Sequence, residues 1–545
     1  MQYDKVFDKH ALTVLGGGEF YDFRVYDYSA SANGAATDFI TYLNAASTAV
    51  GVPSSSFSSW NRLASAIGRL NYDFDSRLLL TANFRYDGTS KLTEDRYGIF
   101  PGLSLGWNLH RENFFAQSGL SKYIRTLKPR ISWGENGSLD PLGDFATTAV
   151  YGNVGTYAGN PGFASGALYN TALKWERANT LNFGLDLGLF DNRITIIADY
   201  FIRNVYDKIA GLSIPAWTGY SSFTTNLGQL QNKGIELELK TQLVRPSQAN
   251  GLSIEVAANF FHVKNFVVEL PDNGLERNRQ STIRVWDPGQ NKIVQVSGLQ
   301  EGLRVGLDEI WAPSYDGIYT TQGDLDARAS FFNSFLPSPN KRAKILGDAR
   351  WTDVDKNDTL DFRDFSLVGR TTPTIQGGFN GNISWKGFSL YAQFDYALGF
   401  VILNQSYLRG MSQVQGSQNG PVDVTNTWHP DNPTGTLPRY YWANYGRNYF
   451  TDAGGGTSQS NPAPGNFYQK GDYVAVREIT LSYELPSSFL EKTLKNRIRG
   501  LRVYASGSNL AYLSRYKGTF PEVGGNDVGR FPLPRVATLG VNLSL

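Results

Sequence analysis

Most of this chain consists of segments of about ten residues in which apolar and polar side chains alternate strictly. In residues 194–203 one set of alternate positions is almost entirely large and apolar: Ile194, Ile196, Ala198, Tyr200 and Ile202. The other set includes Thr195, Asp199 and Arg203. Because successive side chains of a strand point to opposite faces, this pattern predicts strands with one apolar and one polar face.

The lengths of the strands and of their connections favour a membrane barrel over a soluble sandwich. Soluble strands average about five or six residues, whereas a tilted strand needs about nine to eleven to cross a bilayer. Compact links such as 73–76 and 386–387 alternate with long polar loops, namely 22–61, 135–173, 264–373 and 398–471. Short turns and long external loops are typical of outer-membrane barrels. The sequence therefore predicts an all-β fold, an antiparallel transmembrane β-barrel.

The alternating segments predict about fourteen strands in this chain. Their predicted bounds are 11–21, 62–73, 77–87, 99–110, 127–135, 174–189, 193–204, 226–243, 252–263, 374–385, 387–397, 472–485, 500–512 and 535–545. Two of the compact links, 111–126 and 486–500, have apolar and charged residues at helical spacing and predict short helices at the periplasmic rim.

Composition excludes several other classes of protein. The chain has 51 Lys and Arg against 49 Asp and Glu, so it lacks the basic field that nucleic-acid binding requires. It has no cysteine and only four histidines, which are far apart, so thiolate and imidazole metal sites are not expected. The longest apolar run, 396–403, is too short for a spanning helix.

The residues 353–364 carry the strongest local motif, a candidate calcium loop. Oxygen-bearing side chains stand at loop positions 1, 3, 5, 9 and 12, and position 7 offers a backbone carbonyl, as in EF-hand loops. Asp358 replaces the usual glycine at position 6, and an aspartate replaces the usual glutamate at position 12. The motif predicts a structural Ca²⁺ with the ligands Asp353, Asp355, Asn357, Thr359, Asp361 and Asp364.

An aromatic cluster in the long loop 398–471 is a candidate contact surface. Its residues are Tyr440, Tyr441, Trp442 and Tyr445. These rings are suited to stacking on sugar rings, to contact with a lid protein, or to the aromatic girdle at the lipid interface.

The sequence predicts no catalytic or cofactor-binding residue and hence no enzyme. The segment 102–106 fits the Gly-x-Ser-x-Gly pattern of a nucleophile elbow, but Ser104 lies inside a predicted continuous strand. That chemistry needs a strand–turn–helix context.

Several longer motifs are distinctive. They include Arg-Tyr-Asp-Gly-Thr-Ser-Lys-Leu at 85–92, Arg-Tyr-Gly-Ile-Phe-Pro at 96–101 and Leu-Lys-Pro-Arg-Ile-Ser-Trp-Gly at 127–134. Asn-Lys-Gly-Ile-Glu at 232–236 and Trp-His-Pro-Asp-Asn-Pro at 428–433 follow further along the chain. These motifs, in this order, resemble the SusC/RagA family of TonB-dependent outer-membrane transporters of Bacteroidota, and the resemblance covers nearly the whole chain.

The resemblance implies a barrel of about 22 strands closed around a plug. We therefore expect residues 1–545 to be the carboxyl-terminal part of such a transporter, with the signal peptide, TonB box and plug domain outside this chain. It also implies an outer-membrane location and contact with outer-membrane lipid. The implied protein partners are a SusD-like surface lipoprotein that acts as a lid, the plug and amino-terminal barrel strands of the same transporter, and the TonB complex.

The expected function is active import of a large nutrient, an oligosaccharide or a peptide. A passive outer-membrane porin and an outer-membrane hydrolase stay open as alternatives. A porin would work without a plug, and a hydrolase would need a clustered catalytic set on the external loops.

Overall fold

The fold is taken from a computed structural model of the whole chain. The structure describes residues 1–545 with the exception of 36–45, 247, 249–250, 336–343, 413–418, 442–456, 459–460, 464, 487–488, 491–497, 499 and 545. In the described part, no helix combines the length and the apolar character that crossing a membrane requires.

One antiparallel sheet of fifteen strands dominates the molecule, and its spatial order is its chain order. Each strand pairs with the strands before and after it, as in an up-and-down meander. The strands are β1 Gln2–Phe7, β2 His10–Ala35, β3 Ala46–Phe74, β4 Leu78–Thr89, β5 Tyr97–Trp107, β6 Ile124–Ser138, β7 Glu176–Leu189, β8 Ile194–Tyr206, β9 Gln229–Val244, β10 Ser253–Glu269, β11 Ile375–Trp385, β12 Phe388–Leu398, β13 Tyr473–Glu484, β14 Gly500–Ser514 and β15 Val536–Ser544.

The register of the sheet separates the two sets of side chains predicted from the sequence. Tyr200 on β8 is the Cα partner of Phe183 on β7 and of Ile235 on β9. Asp199, one residue earlier, is the partner of Gly184 and Glu236. Because directly paired residues point to the same side, the sheet has an apolar face and a polar face across these strands.

The fourteen predicted strands correspond to β2 to β15, and the structure adds β1 as a fifteenth. The predicted loop 22–61 is wrong in part, since β2 continues to Ala35 and β3 begins at Ala46. Pairing continues through two register shifts, one of them between Val25 and Tyr26. Bulges of this kind let a hairpin extend although the strict alternation is lost.

Compact links join the strands on one side of the sheet. At the β11–β12 turn, Lys386 has φ 50° and Gly387 has φ 87°, which are the left-handed values of a two-residue hairpin turn. The predicted helical link 111–126 is confirmed as three short helices, Leu109–Arg111, Asn113–Ala116 and Gly119–Lys122. The predicted helix in 486–500 lies largely outside the described residues.

The long connections on the other side form small sheets and short helices of their own. Their antiparallel pairs are Tyr151–Tyr157 with Asn160–Ser165, Ile209–Ser213 with Ser222–Asn226, Ile283–Asp287 with Lys292–Val296, Glu309–Pro313 with Phe365–Arg370, Tyr315–Ile318 with Ala349–Trp351, and Thr457–Ser458 with Asn461–Pro462. Val401–Asn404 pairs with Tyr468–Lys470 and, in parallel, with Asn526–Asp527, and Phe332–Asn333 pairs in parallel with Thr359–Leu360. The helices are Ala216–Thr218, Glu276–Asn278, Gln322–Asp326, Phe362–Asp364, Gln405–Ser412, Val422–Asn426 and Gly465–Phe467.

Three of these connections pack together around buried side chains. We call the described residues of 309–371, 401–441, 461–470 and 515–534 the external cap. Its largest cluster of buried residues consists of Phe331, Trp351, Leu360, Leu403, Leu408, Met411, Ala463 and Phe467. A second cluster joins Phe520 and Val523 to Phe400 and Ile402. Among the described residues, the clusters of buried hydrophobic side chains therefore lie mainly in the loops, with some strand residues such as Ala397.

Candidate functional site

The apolar face of the sheet is exposed and rich in aromatic residues near both ends of the strands. At the external end the rings of Tyr86 and Tyr97 stack with their centres 5.4 Å apart. At the turn end the rings of Phe388 and Tyr483 are 4.4 Å apart, and Trp385 is half exposed. Two aromatic belts that flank an apolar band are typical of barrels in a bilayer.

A network of ion pairs crosses three strands on the polar face. The Arg130 guanidinium on β6 binds both carboxylate oxygens of Asp199 at 2.8 and 2.7 Å, and its Nε donates to Asp186 at 2.9 Å. Gly184 lies beneath it, where an added Cβ would be 2.4 Å from the arginine side chain. The glycine therefore leaves the space in which Arg130 reaches β8.

A depression of about 500 Å³, lined by both polar and apolar side chains, lies beside this network. Its floor is formed by Gly102 and Gly134, whose backbones approach closely. Its polar lining includes Arg69, Asn83, Ser104, Ser132 and Asn182. Ser104 lies within β5, paired with Thr81 and Ser132, so the prediction that it belongs to a continuous strand is confirmed.

The acidic loop of the external cap brings together three of the six predicted calcium ligands. One carboxylate oxygen from each of Asp353, Asp355 and Asp364 lies within 4.8 Å of the other two. Asp358, at the position usually held by glycine, has φ 59°. The left-handed turn that the sequence requires of this aspartate is therefore present.

The same loop is tied by hydrogen bonds from its own backbone. The N–H groups of Asn357 and Asp358 donate to the Asp353 carboxylate at 3.2 and 2.9 Å. Those of Val354 and Asp361 donate to Asp364 at 2.7 and 2.8 Å. These bonds hold the carboxylates in a fixed arrangement.

Of the other three predicted ligands, Asp361 is turned to another partner, whereas Asn357 lies beside the cluster, with its amide donating to Asp355 at 2.7 Å. Asp361 binds the Arg363 guanidinium at 2.6 Å, and the Asn357 side-chain oxygen accepts a bond from the Thr359 N–H at 2.7 Å. Thr359 is the Cα partner of Phe332 in the parallel pair, and the bonds of this pair run to the carbonyls of Asp358 and Leu360 on either side of it. Arg363 also lies 3.3 Å from Asp355, so an arginine competes with any cation for two of these acids.

Burial makes this cluster electrostatically unfavourable when it is fully ionised. It raises the pKa of Asp364, whose side chain is inaccessible to solvent, to about 6, and the charges of Asp353 and Asp355 act in the same direction. Burial also raises the pKa of Asp355, although Arg363 opposes this shift. A divalent cation would offset the repulsion among the three carboxylates.

The predicted aromatic contact surface is only partly described. Trp442 and Tyr445 lie outside the described residues. Tyr440 is half-buried, and burial raises its pKa. The Tyr441 hydroxyl donates a hydrogen bond to Asp348. The structure therefore shows these two tyrosines partly buried within the cap, and their contact with substrate or with a lid protein stays a prediction.

Sequence reasoning missed the cap core and the Arg130 network. The core side chains Trp351, Leu403 and Phe467 come from three distant segments, so no local period marks them. The Arg130 contact depends on the registers of β6, β7 and β8. The only signal was the set of charged residues that alternates with apolar ones on these strands.

An apolar band between aromatic belts, a polar opposite face and long external loops define the wall of an outer-membrane β-barrel. Comparison with known proteins identifies the kind of barrel. The family model described as TonB dependent receptor-like, beta-barrel matches residues 2–300. The chain belongs to this family of TonB-dependent receptor barrels, and it is an outer-membrane protein, as predicted.

Individual relatives are consistent with the family match. TonB-dependent receptor P3 of Formosa agariphila is 29% identical over 100% of this chain and 51% of its own length. TonB-dependent receptor SusC of Bacteroides thetaiotaomicron is 26% identical over 89% of this chain and 44% of its own. The chain thus spans about half the length of the curated relatives it matches.

A solved structure shows the same fold. The structure of the RagAB peptide transporter aligns with a TM-score of 0.74 and 23% identity, covering 99% of this chain and 54% of that chain. Together with the family match and the SusC relative, this confirms the resemblance to the SusC/RagA family that the motifs indicate.

Proposed function

We propose that this chain forms part of an active importer that takes up a large nutrient, an oligosaccharide or a peptide, across the outer membrane. The observation that carries this proposal is the external cap, a packed assembly of loops with its own core at the external end of a sheet with a polar face. A simple pore needs no such assembly. The family match and the relatives named SusC and RagAB support the same conclusion.

The proposal includes three protein partners. β1 and β15 each have one hydrogen-bonded neighbour among the described residues, and unpaired strand edges are not tolerated in lipid. We propose that both edges pair with further strands of the same transporter, and that a plug lies against the polar face. A SusD-like lipoprotein would cover the cap, and the TonB complex would supply energy.

Uptake in cells tests the function. Deletion of the gene should abolish uptake of labelled oligosaccharides or peptides too large for porins, and the wild-type gene should restore it. Dissipation of the proton gradient should stop uptake in the restored cells within minutes, while uptake of a small sugar through porins continues. Uptake that persists without the gradient would contradict active import and indicate the passive porin.

We also propose that the acidic loop binds a structural Ca²⁺ at Asp353, Asp355 and Asp364. Hard carboxylate oxygens suit this ion, and the three converge. The ion would fix the segment that inserts Leu360, which is fully buried, into the cap core. At a calcium concentration of 100 times Kd it would stabilise the cap by about 2.7 kcal/mol.

Calorimetry and thermal unfolding with Ca²⁺ test this site. The variant Asp353→Asn/Asp355→Asn should lose both the binding heat and the stabilisation. Asp358→Asn is the matched control, because that carboxylate accepts a hydrogen bond from Ser330 at 2.7 Å and stands outside the cluster. Wild-type protein that neither binds calcium nor gains stability from it would refute the proposal.

A further inference from the structure

Two lysines face each other on the apolar side of the sheet. Lys233 on β9 and Lys264 on β10 are direct Cα partners. On the same face, two residues further from the external end, lie Ile235 and its partner His262. Like charges directly opposite each other on neighbouring strands destabilise a sheet. An outward-facing lysine pair therefore calls for a counter-charge.

The described part of the protein does not supply that counter-charge. Neither lysine has a carboxylate within ion-pair distance among the described residues, and the Lys233 ammonium instead lies 5.7 Å from the centre of the Phe266 ring. The acids on these two strands lie away from the lysine pair. Glu238 pairs with Lys240 on the polar face, and Glu269 is at the external end of β10, five residues beyond Lys264.

A third cation lies on the same face. Residues 303–305 continue the sheet beside the external end of β10, since the Val267 N–H donates to the Leu303 carbonyl and the Val305 N–H to that of Asn265, both at 2.9 Å. Arg304 is thereby the antiparallel partner of Phe266. Partners point to the same side, so Arg304 joins the lysines around this ring.

The acids nearest to Arg304 are already bound by another arginine. Arg370 binds Asp308 at 2.6 Å and Glu309 at 2.5 Å. Asp308 and Glu309 also act on Arg304 electrostatically, but the charge of Arg370 opposes their effect. Within the described residues Arg304 has no ion pair of its own.

The position of this group along the strands places it at the external edge of the membrane. Lys233 is four residues from the external end of β9, and Lys264 is five residues from that of β10. Trp133, a residue type that is enriched at membrane interfaces, lies at a similar distance from the external end of its own strand, five residues from the end of β6. Lipid headgroups are found at this level.

We propose that Lys233, Lys264 and Arg304 bind the phosphate group of a glycolipid in the outer leaflet, with the Phe266 ring packed against the lipid. A phosphate supplies the negative charge that the protein lacks there, and only a lipid presents it beside an apolar face. The site depends on the membrane location of the sheet and not on the substrate or energy source of transport.

Native mass spectrometry of the protein purified from outer membranes in detergent tests this site, with lipid A as the probe. A basic side chain near an anionic lipid surface contributes about fivefold to binding. The variant Lys233→Gln/Lys264→Gln should therefore bind lipid A about 25-fold more weakly. Arg304→Gln alone should weaken binding about fivefold.

Lys240→Gln is the matched control, because Lys240 lies on β9 but on the polar face, paired with Glu238. It should bind lipid A as the wild type does. Equal retention of lipid A by wild type and double variant would overturn the proposal and show that the lysines only extend towards water. If Lys240→Gln bound lipid A as weakly as the double variant does, the proposal would also be overturned.

Two further measurements keep the result interpretable. If the double variant does not fold, the single change at the exposed Lys264, Lys264→Gln, still should lower binding about fivefold. Excess inorganic phosphate should leave bound lipid A in place. Displacement of the lipid by phosphate alone would contradict a lipid site and indicate a site for a soluble anion.

Discussion

The sheet and the external cap are held together in different ways. On the sheet, large apolar side chains such as Leu105 and Leu237 are 48% and 42% exposed. In the cap, Leu360 and Leu408 are completely buried. The sheet relies on its ladder of backbone hydrogen bonds and on lipid to cover its apolar face, whereas the cap buries a hydrophobic core of its own.

This difference predicts two kinds of sensitivity to substitution. On the sheet, the loss of stability on substitution depends on whether the side chain faces lipid or water. In the cap, it depends on how deeply the side chain is buried among its neighbours. Three substitutions test this distinction, in order of decreasing expected effect.

The largest effect is expected from Trp351→Ala in the cap core. Trp351 is 2% exposed and packs edge-on against Tyr315, with ring centres 5.7 Å apart. Its truncation should cost about 3–5 kcal/mol and open the cap while the sheet persists. Limited proteolysis should cut the cap sooner, while the unheated protein keeps its compact mobility on a denaturing gel.

Leu367→Ala is the control for this experiment. Leu367 lies on the strand Phe365–Arg370 of the same cap but is 52% exposed, so its loss should cost less than about 0.5 kcal/mol. Simultaneous loss of cap and sheet in Trp351→Ala would show that the two regions unfold as one unit, and the proposed contrast would be wrong.

A smaller effect is expected from an arginine on the apolar face of the sheet. Ala198 and Ile197 are neighbours on β8 that face opposite sides: Ala198 pairs with Leu185 and Leu237, whereas Ile197 pairs with Asp186 and Glu238. Ala198 is four residues from the turn end of β8, so Ala198→Arg places the charge well inside the apolar band and should cost about 2–4 kcal/mol in a bilayer. Urea unfolding of the protein in lipid vesicles measures this cost.

Ile197→Arg is the control, with an arginine introduced one residue earlier on the opposite face. Its guanidinium would enter the polar face between two acids, and the expected cost is below about 1 kcal/mol. An equal cost for both variants would show that the two faces do not differ in their surroundings, which contradicts a lipid-facing apolar side.

The contrast also explains what the sequence predicts about the fold. Alternation is a local pattern that each long strand carries in itself, and it identified fourteen of the fifteen strands. β1 was missed because its six residues, Gln2 to Phe7, contain only one short stretch of alternation. The cap was missed because its core is assembled from residues far apart in sequence, such as Phe331 and Phe467.

The same reasoning applies to the candidate metal site. The spacing of Asp353 and Asp355 is local, and their convergence was predictable from the motif. Convergence of Asp364 with them is also observed. The orientation of Asp361 was not predictable, because Arg363, two residues away, binds it instead. A ligand motif predicts the oxygen atoms but not the cations of the protein that compete for them.

The smallest of the three effects is expected from Asp527→Asn, which tests a polar anchor in the cap. Asp527 is 1% exposed and accepts hydrogen bonds from the Tyr516 hydroxyl at 2.7 Å and the Gly529 N–H at 2.9 Å. Asparagine keeps one acceptor but places an amide against the Thr519 N–H. The loss of a charge-assisted acceptor should cost about 1.5–3 kcal/mol at pH 7, measured as thermal unfolding of the cap.

Asp431→Asn is the control for this substitution. The side chain of Asp431 is 98% exposed, so its replacement should cause no measurable loss of stability.

The pH dependence of this cost separates the charge of Asp527 from its shape. Burial alone raises the pKa of Asp527, but the hydrogen bonds from Tyr516, Gly529 and Thr519 outweigh burial and lower the pKa below its usual 3.8. A lowered carboxyl pKa contributes stability that is present above 3.8 and is lost as the pH falls through the folded-state value. The difference between wild type and Asp527→Asn should therefore be constant at neutral pH and shrink only below pH 3.8. If the stability difference between wild type and Asp527→Asn persisted unchanged in acid, the asparagine would be acting by disturbing the packing. This part of the cap would then be held by burial alone, as the Trp351 core is.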